Sequence, residues 1–184
     1  VCIPSYEMHG EAKRMLTRSF DMLKKQTFKD FEVVVSDNSE DDVVRNICAS
    51  SEYQSLNINY FKNPRKGISP NTNEAIKKAT GKLIKTLYMD DFLSDENSLQ
   101  DIMDSFKGNW LVTGCGHNTG DGKIKNIHFP TYNKKVYLGK NTIGNPSILT
   151  IKNEDLMLFD ENLSWLLDCD YYERLYEKYG EPDI

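Results

Sequence analysis

The residues best suited to chemistry in this sequence are carboxylates, and two of them are neighbours. Asp90 and Asp91 stand side by side in KTLYMDDFL, straight after a short apolar run. Adjacent carboxylates repel each other and gain nothing from packing, so a cation or a set of donors has to offset the cost of holding them together. A divalent ion does this with hard oxygen ligands, and Mg²⁺ typically takes one or two carboxylates plus phosphate oxygens and water. A further acid, Asp37, ends the β-branched run FEVVVSD, and Asp168 and Asp170 open LLDCDYYERL. Each group also has a structural reading, because acids at helix starts accept main-chain N–H groups and favour the helix dipole. Ser94 and Asp95 would continue such a turn after Asp91, and Ser39, Glu40 and Asp41 suffice to cap a helix after Asp37. Arg65 and Lys66, in NPRKG, put positive charge where a diphosphate or plain solvent could meet it.

Other chemistries find little support. His9, His117 and His128 share no spacing, and Cys2, Cys48, Cys115 and Cys169 show no CxxC or Cys/His pattern, so zinc is not indicated and the thiols read as reduced. Neither GxGxxG nor GxxxxGK[ST] occurs, so the usual phosphate-cradling glycine loops are missing. A net charge of −5 argues against a nucleic-acid partner held through its phosphates. No apolar run approaches the roughly 20 residues that span a bilayer, and no signal-peptide pattern opens the chain. The expectation is a soluble, cytoplasmic chain of one domain, its 184 residues being enough to bury a core. Val1 lies inside an apparent strand and Ile184 closely follows Pro182, so both ends are expected to be cut from a longer protein.

The elements that must position these groups alternate. Strands are expected at 1–3, stopped by Pro4, then at 31–35, 56–61, 82–88 and 109–114. Helices are expected at 11–25, with Met15, Leu16, Phe20 and Leu23 near helical spacing, and at 41–51, 69–79 and 94–106. This rhythm implies right-handed βαβ units, a largely parallel sheet and helices on both faces. It then breaks: GCGHNTGDGKI reads as a turn-rich hairpin, 137–150 as irregular strand and loop, and a helix returns at 166–179. Its tyrosines, Tyr171, Tyr172, Tyr176 and Tyr179, fall at helical spacing and read as packing or a contact surface. In an open parallel sheet ligands sit beyond the carboxyl ends of the strands. Those ends read PSYE, SDNSEDD, NPRKG and MDDF. Tyr6 is placed there to stack on a base, flanked by the backbone around Pro4 and Ser5 and followed by Glu7.

Taken in order, VCIPSYE, FEVVVSDNSEDD, NPRKGISPNTNEAIKKATGKLIKTLYMDD and WLLDCDYYERL resemble a family 2 glycosyltransferase of the GT-A fold over nearly the whole chain. The resemblance implies an α/β, Rossmann-like, mostly parallel sheet with a smaller mixed or antiparallel C-terminal part. It also implies an inverting transferase that moves a sugar from a nucleotide-diphosphate donor, here UDP-linked, to a hydroxyl of a glycan or similar acceptor with Mn²⁺ or Mg²⁺. Residues up to about 93 would hold the nucleotide and 94–184 the acceptor. Asp91 matches the metal ligand, while Asp90 would lie behind the ion or on the ribose. Asp37 matches the acceptor of the base's ring N–H, and Asp168 the base that activates the acceptor hydroxyl. Asn73 matches a donor-site position that the family commonly precedes with Arg; Thr72 stands there, so that one phosphate or base contact is either lost or supplied by Arg65. Tyr88 and Leu167 replace family acids. Trp165 stacks on a sugar or belongs to the core, and Asp170 lies two residues beyond the base on the acceptor side. Two other classes stay open on the residues: a nucleotide-sugar-binding module without catalysis, and a nucleotidyltransferase. Association with a membrane surface through a tail and pairing into a homo-oligomer also stay open.

Overall fold

The computed structural model describes residues 1–118 and 123–184. Strand β1 (Cys2–Ser5) leads into helix α1 (Ala12–Lys25), whose Ala12, Leu16, Phe20 and Leu23 form one buried stripe. Strand β2 (Val33–Asp37) is buried on both faces, as a central parallel strand should be. Helix α2 (Val43–Cys48), strand β3 (Ile58–Lys62) and helix α3 (Ile68–Lys78) follow. Next come strand β4 (Leu83–Lys85), helix α4 (Ser98–Ser105) and strand β5 (Trp110–Val112). Strands β6 (Cys115–Asn118) and β7 (Ile124–His128) pair antiparallel as the expected hairpin, whose tip at 119–122 lies outside the described residues. Strand β8 (Leu149–Lys152) and helix α5 (Leu167–Tyr179) complete the order.

Strands β1, β2 and β3 are parallel, with β1 paired to β2 from Cys2–Val34 to Ser5–Asp37. Proline does not stop β1, because Pro4 stays in register with Ser36. Val34 and Asn38 donate to the carbonyls of Val1 and Ser5, so alternate residues of β1 serve β2 and Cys2 and Pro4 face the other side. There the contact with the β4 segment is one bridge, Cys2 to Thr86, and the missing N–H of Pro4 breaks no ladder. Beyond this seam the parallel rhythm is corrected: β5 does not lie beside β4. Strand β8 inserts between them, antiparallel to both, giving the order β4-β8-β5. Val33 and Val35 face α1, α2 and α4, whereas Val34 faces α3, α5 and the β8 region, so each side of the sheet has its own core. Among the described residues no helix is long and apolar enough to cross a membrane.

Candidate functional site

The carboxyl ends of β1, β2 and β3 open onto a cavity of about 590 Å³, walled on its far side by the turn after β4. Pro4, Tyr6, Glu7, Lys66 and Asp90 line it, as does a set that spacing alone did not single out for binding: Met8, Asn38, Gly67, Ile68, Tyr88 and Met89. The Tyr6 N–H points at the Met89 sulfur (3.3 Å), which ties the first strand's end to the acidic turn. Met8, which lines the cavity, and His9 beside it hold positive φ angles of 48° and 53°, unusual for side-chain-bearing residues. One carboxylate oxygen of Glu7 is buried without a hydrogen-bond partner. A buried acceptor left open on a cavity wall is suited to a donor that arrives with a ligand.

Positive charge reaches the cavity from one side. Lys66 lines it and donates from Nζ to the Asn38 carbonyl (2.6 Å). Gly67 and Ile68 place the first turn of α3 on the same wall. A helix N-terminus with free N–H groups beside a lysine favours an anion. Gly67 adopts φ 118°, and a Cβ there would stand 3.3 Å from Pro70 Cδ, so a side chain is opposed by both backbone and space.

The remaining expected donor residues are placed differently. Asp37 lies fully buried beneath the cavity, and its carboxylate is already held by the Ser39 N–H (2.8 Å), the Tyr60 hydroxyl (2.8 Å) and Lys62 Nζ (3.2 Å). Ser5 lies under the floor, its carbonyl accepting from Asn71 Nδ2 (3.0 Å) and its hydroxyl buried without a partner. Arg65 does not turn to the cavity; it pairs with Glu161 and with Glu74 (3.3 Å). Asn73 is buried and clamps Phe159 instead, donating to its carbonyl (2.9 Å) and accepting from its N–H (2.9 Å). Glu161 lies 96 residues from Arg65 in sequence, so no local signal could reveal the diversion.

The acidic pair splits across the turn. Asp90 faces this first cavity, and Asp91 faces a second one of about 440 Å³ lined also by Lys85, Cys115, Asn145 and Ser147. The turn is closed by Asp91 N–H to the Tyr88 carbonyl (2.9 Å) and braced by Arg18, which donates to the Asp90 carbonyl (2.7 Å) and stacks on Phe92. Burial raises the Asp91 pKa above the ordinary carboxylate value, partly opposed by its hydrogen bond with Ser147. Burial likewise pulls the Lys85 ammonium down to about 7, and its Nζ donates to the Ser147 carbonyl. Neither aspartate caps α4; Asp95 supplies that turn, accepting from Asn97 N–H (2.9 Å). Among the described residues no cluster of three or more His, Cys, Asp or Glu is arranged to hold a metal. The two carboxylates thus face different spaces, and each could offer an ion its own hard oxygen, with the rest of the shell left to water or a ligand's oxygens.

Asp168 sits in the first turn of α5 without capping it: Leu166, in the left-handed region at φ 56°, is the capping position. The Asp168 carboxylate accepts from Asn141 Nδ2 (2.7 Å) and from its neighbour's N–H at Cys169 (2.9 Å). Asp170 is committed to Arg174 (2.6 Å) along the helix. Trp165 is 80% exposed, which removes the core alternative. Packing accounts for the tyrosine stripe: Tyr171 stacks on Phe159, Tyr172 on Trp110 and Tyr176 on Tyr132.

With this geometry in view, comparison with known proteins is decisive for the family. The family model for glycosyl transferase family 2 matches residues 1–151. The chain belongs to that family. Its fold is similar to that of S. aureus TarS residues 1–349 in complex with UDP, with TM-score 0.73 and 20% identity over 98% of this chain and 55% of that one. The same TarS region in complex with UDP-GlcNAc gives TM-score 0.64 and 20% identity over 92% of this chain and 52% of that one. HddC from Yersinia pseudotuberculosis gives TM-score 0.50 and 12% identity over 82% of this chain and 70% of that one. The chain thus spans about half the length of the TarS fragment it resembles, and at these identities the likeness establishes the GT-A fold. No curated protein matches the chain.

Proposed function

We propose that this family 2 chain transfers a sugar with inversion from a UDP-linked donor to a hydroxyl of a glycan or similar acceptor, using Mn²⁺ or Mg²⁺. The observation that carries the reading is the first cavity, which gathers Tyr6, the unpartnered Glu7 oxygen, Lys66, the start of α3 and Asp90 in one space of nucleotide size. Similarity to structures holding UDP and UDP-GlcNAc supports a uridine nucleotide. Tyr6, 40% exposed, offers a ring face to the base, and Glu7 accepts from the ribose. Lys66 and the α3 N-terminus face the diphosphate, and Asp91 would hold the ion with Asp90 behind it or on the ribose; the ion would supply charge stabilisation to the departing diphosphate. Asp168 takes the proton from the attacking hydroxyl as its oxygen bonds the anomeric carbon and the bond to the diphosphate oxygen breaks. Trp165, exposed immediately before α5, lies on the acceptor side, where its ring suits a sugar face.

Melting curves with nucleotides and turnover of UDP-sugars test this together. UDP with Mn²⁺ is expected to raise the melting temperature more than ADP does, and Asp91→Asn to remove the metal-dependent part while leaving the apo fold intact. Asp168→Asn is expected to keep UDP binding and to lower turnover by roughly 10²–10⁴. Equal stabilisation by ADP would overturn the uridine assignment, and an active Asp168→Asn protein the base assignment.

A further inference from the structure

Between the hairpin and β8 runs a short strap, residues 141–147, that touches both acidic centres. Asn141 donates to Asp168 (2.7 Å), and four residues later Asn145 donates to Asp91 (3.1 Å). Ser147 adds a third link, accepting the Tyr88 N–H (2.8 Å) and hydrogen-bonding Asp91. The same asparagines also fold the strap: Asn141 Oδ1 accepts from the N–H groups of Ile143 (3.0 Å) and Gly144 (2.9 Å), and Asn145 Oδ1 from that of Ser147 (3.0 Å). Each side chain therefore closes its own turn with the oxygen and reaches a carboxylate with the nitrogen. The strap is fixed from outside by the Tyr172 hydroxyl on the Asn145 carbonyl (3.0 Å) and by His128 Nε2 against the carbonyls of Thr142 (3.0 Å) and Ile143 (3.1 Å). Gly144 adopts φ 137°, and a Cβ there would stand 2.8 Å from Ile148 Cδ1, so the bend between the asparagines is tightly specified.

Resting on the function proposed above, we infer that Asn141 and Asn145 are positioning residues that hold the base Asp168 and the metal carboxylate Asp91 in one rigid frame. The physical reason is that a carboxylate next to a reacting hydroxyl or an ion has several rotamers, and only one aims the free lone pairs at its target. An amide donor on one oxygen selects that rotamer and leaves a lone pair of the other oxygen to act, which in Asp168 is the oxygen that also accepts the Cys169 N–H. Because both donors sit on a single strap, the base and the ion side of the site keep a fixed separation whichever substrate is bound.

The test uses Asn141→Ser and Asn145→Ser. Serine keeps an oxygen that closes each turn but is too short to reach the carboxylate, so folding and positioning are separated. Asn141→Ser is expected to lower kcat about 10–100-fold with the KM for the donor unchanged. Asn145→Ser is expected to leave metal-free UDP affinity unchanged, while the Mn²⁺ concentration needed to enhance UDP binding, read by calorimetry, rises about 10–100-fold. Wild-type kcat in the first and wild-type metal dependence in the second would overturn the inference, provided wild type itself turns over. A wild-type protein that transfers no sugar from any UDP donor tested would instead sink the proposed function. If either serine variant melts far below wild type, Asn141→Asp and Asn145→Asp, which keep the turn-closing oxygen and the asparagine shape, carry the same readouts. They replace each donor by a group that repels its carboxylate, so unchanged kcat in Asn141→Asp, or unchanged UDP and Mn²⁺ binding in Asn145→Asp, also counts against the inference.

Discussion

Asp37 shows how much a single side chain can be asked to do. Its carboxylate is fully buried, and burial with the Asp37 carboxylate alongside pushes the Tyr60 hydroxyl up to about 12, so that phenol stays a donor at any working pH. A base N–H reaches this carboxylate only if a present donor yields, and Lys62, the longest of the three contacts and partly exposed, is the one able to swing away. Two variants separate the roles. Asp37→Asn should cost about 1–3 kcal/mol of stability through the donors it leaves poorly matched, and it should also abolish the preference for UDP over ADP. Lys62→Met should change stability by no more than about 1 kcal/mol, as expected of a partly solvated pair, and keep the preference. Melting curves with each nucleotide measure both, and a destabilised Asp37→Asn protein that still prefers UDP would leave Asp37 a purely structural residue.

At the scale of elements, what joins the strands and helices is often a side chain far from its partner in sequence. Glu32, just ahead of β2, accepts from Thr80 N–H (2.6 Å), Thr80 Oγ1 (2.8 Å) and Gly81 N–H (3.1 Å), tying the parallel strands to the turn between α3 and β4. Burial opposes ionisation there, but the three donors and the nearby N-terminal charge outweigh it, and the pKa falls below 4.5. A carboxylate with a depressed folded pKa stabilises above its unfolded value and loses that contribution as pH falls through the folded one. Glu32→Gln should therefore lower the melting temperature at neutral pH, with the difference from wild type shrinking as pH drops below about 4.5. A pH-independent difference would show that shape and not charge matters at this turn. Helices α1, α4 and α5 were legible because each carries an apolar stripe that its own sequence displays, whereas α3 buries Ser69, Asn71, Thr72 and Asn73 and was legible from the glycine, Gly81, that marks its end. Helix α4 starts later than its pattern suggests, since Asp95 and Ser98 build a separate turn first. Strand β8 was not legible as a sheet centre: its LTIK is a short apolar–polar alternation, and nothing local says that it will separate β4 from β5. The site followed the same division. Residues at strand ends, such as Tyr6, Lys66 and Asp90, could be read from position, whereas Asn141 and Asn145 act through contacts 27 and 54 residues away.

For the molecule as a whole, the seam between the parallel and antiparallel parts of the sheet decides how a ligand couples them. Beyond the Cys2–Thr86 bridge and the bond from Leu87 N–H to the Cys2 carbonyl (2.9 Å), the cavity itself spans the seam, with Tyr6 to Met8 on one side and Tyr88 to Asp90 on the other. A ligand in that cavity contacts both parts and so raises the cost of opening either. At a free concentration 100 times its Kd, it adds about 2.7 kcal/mol to the global stability. The strap at 141–147 borders the second cavity, where Asn145 and Ser147 hold Asp91, so it should respond when the ion joins the nucleotide. Hydrogen exchange distinguishes these layers. UDP alone should slow the amides of Tyr6 and Leu87 together, and UDP with Mn²⁺ should in addition slow those of Ile143, Gly144 and Ser147, whose N–H groups close on the two asparagines. Protection confined to the parallel part, with Leu87 and the strap unaffected under both conditions, would mean that the nucleotide does not bridge the seam. In that case the two parts of the sheet would open independently, and Asp90 would not be facing the bound donor.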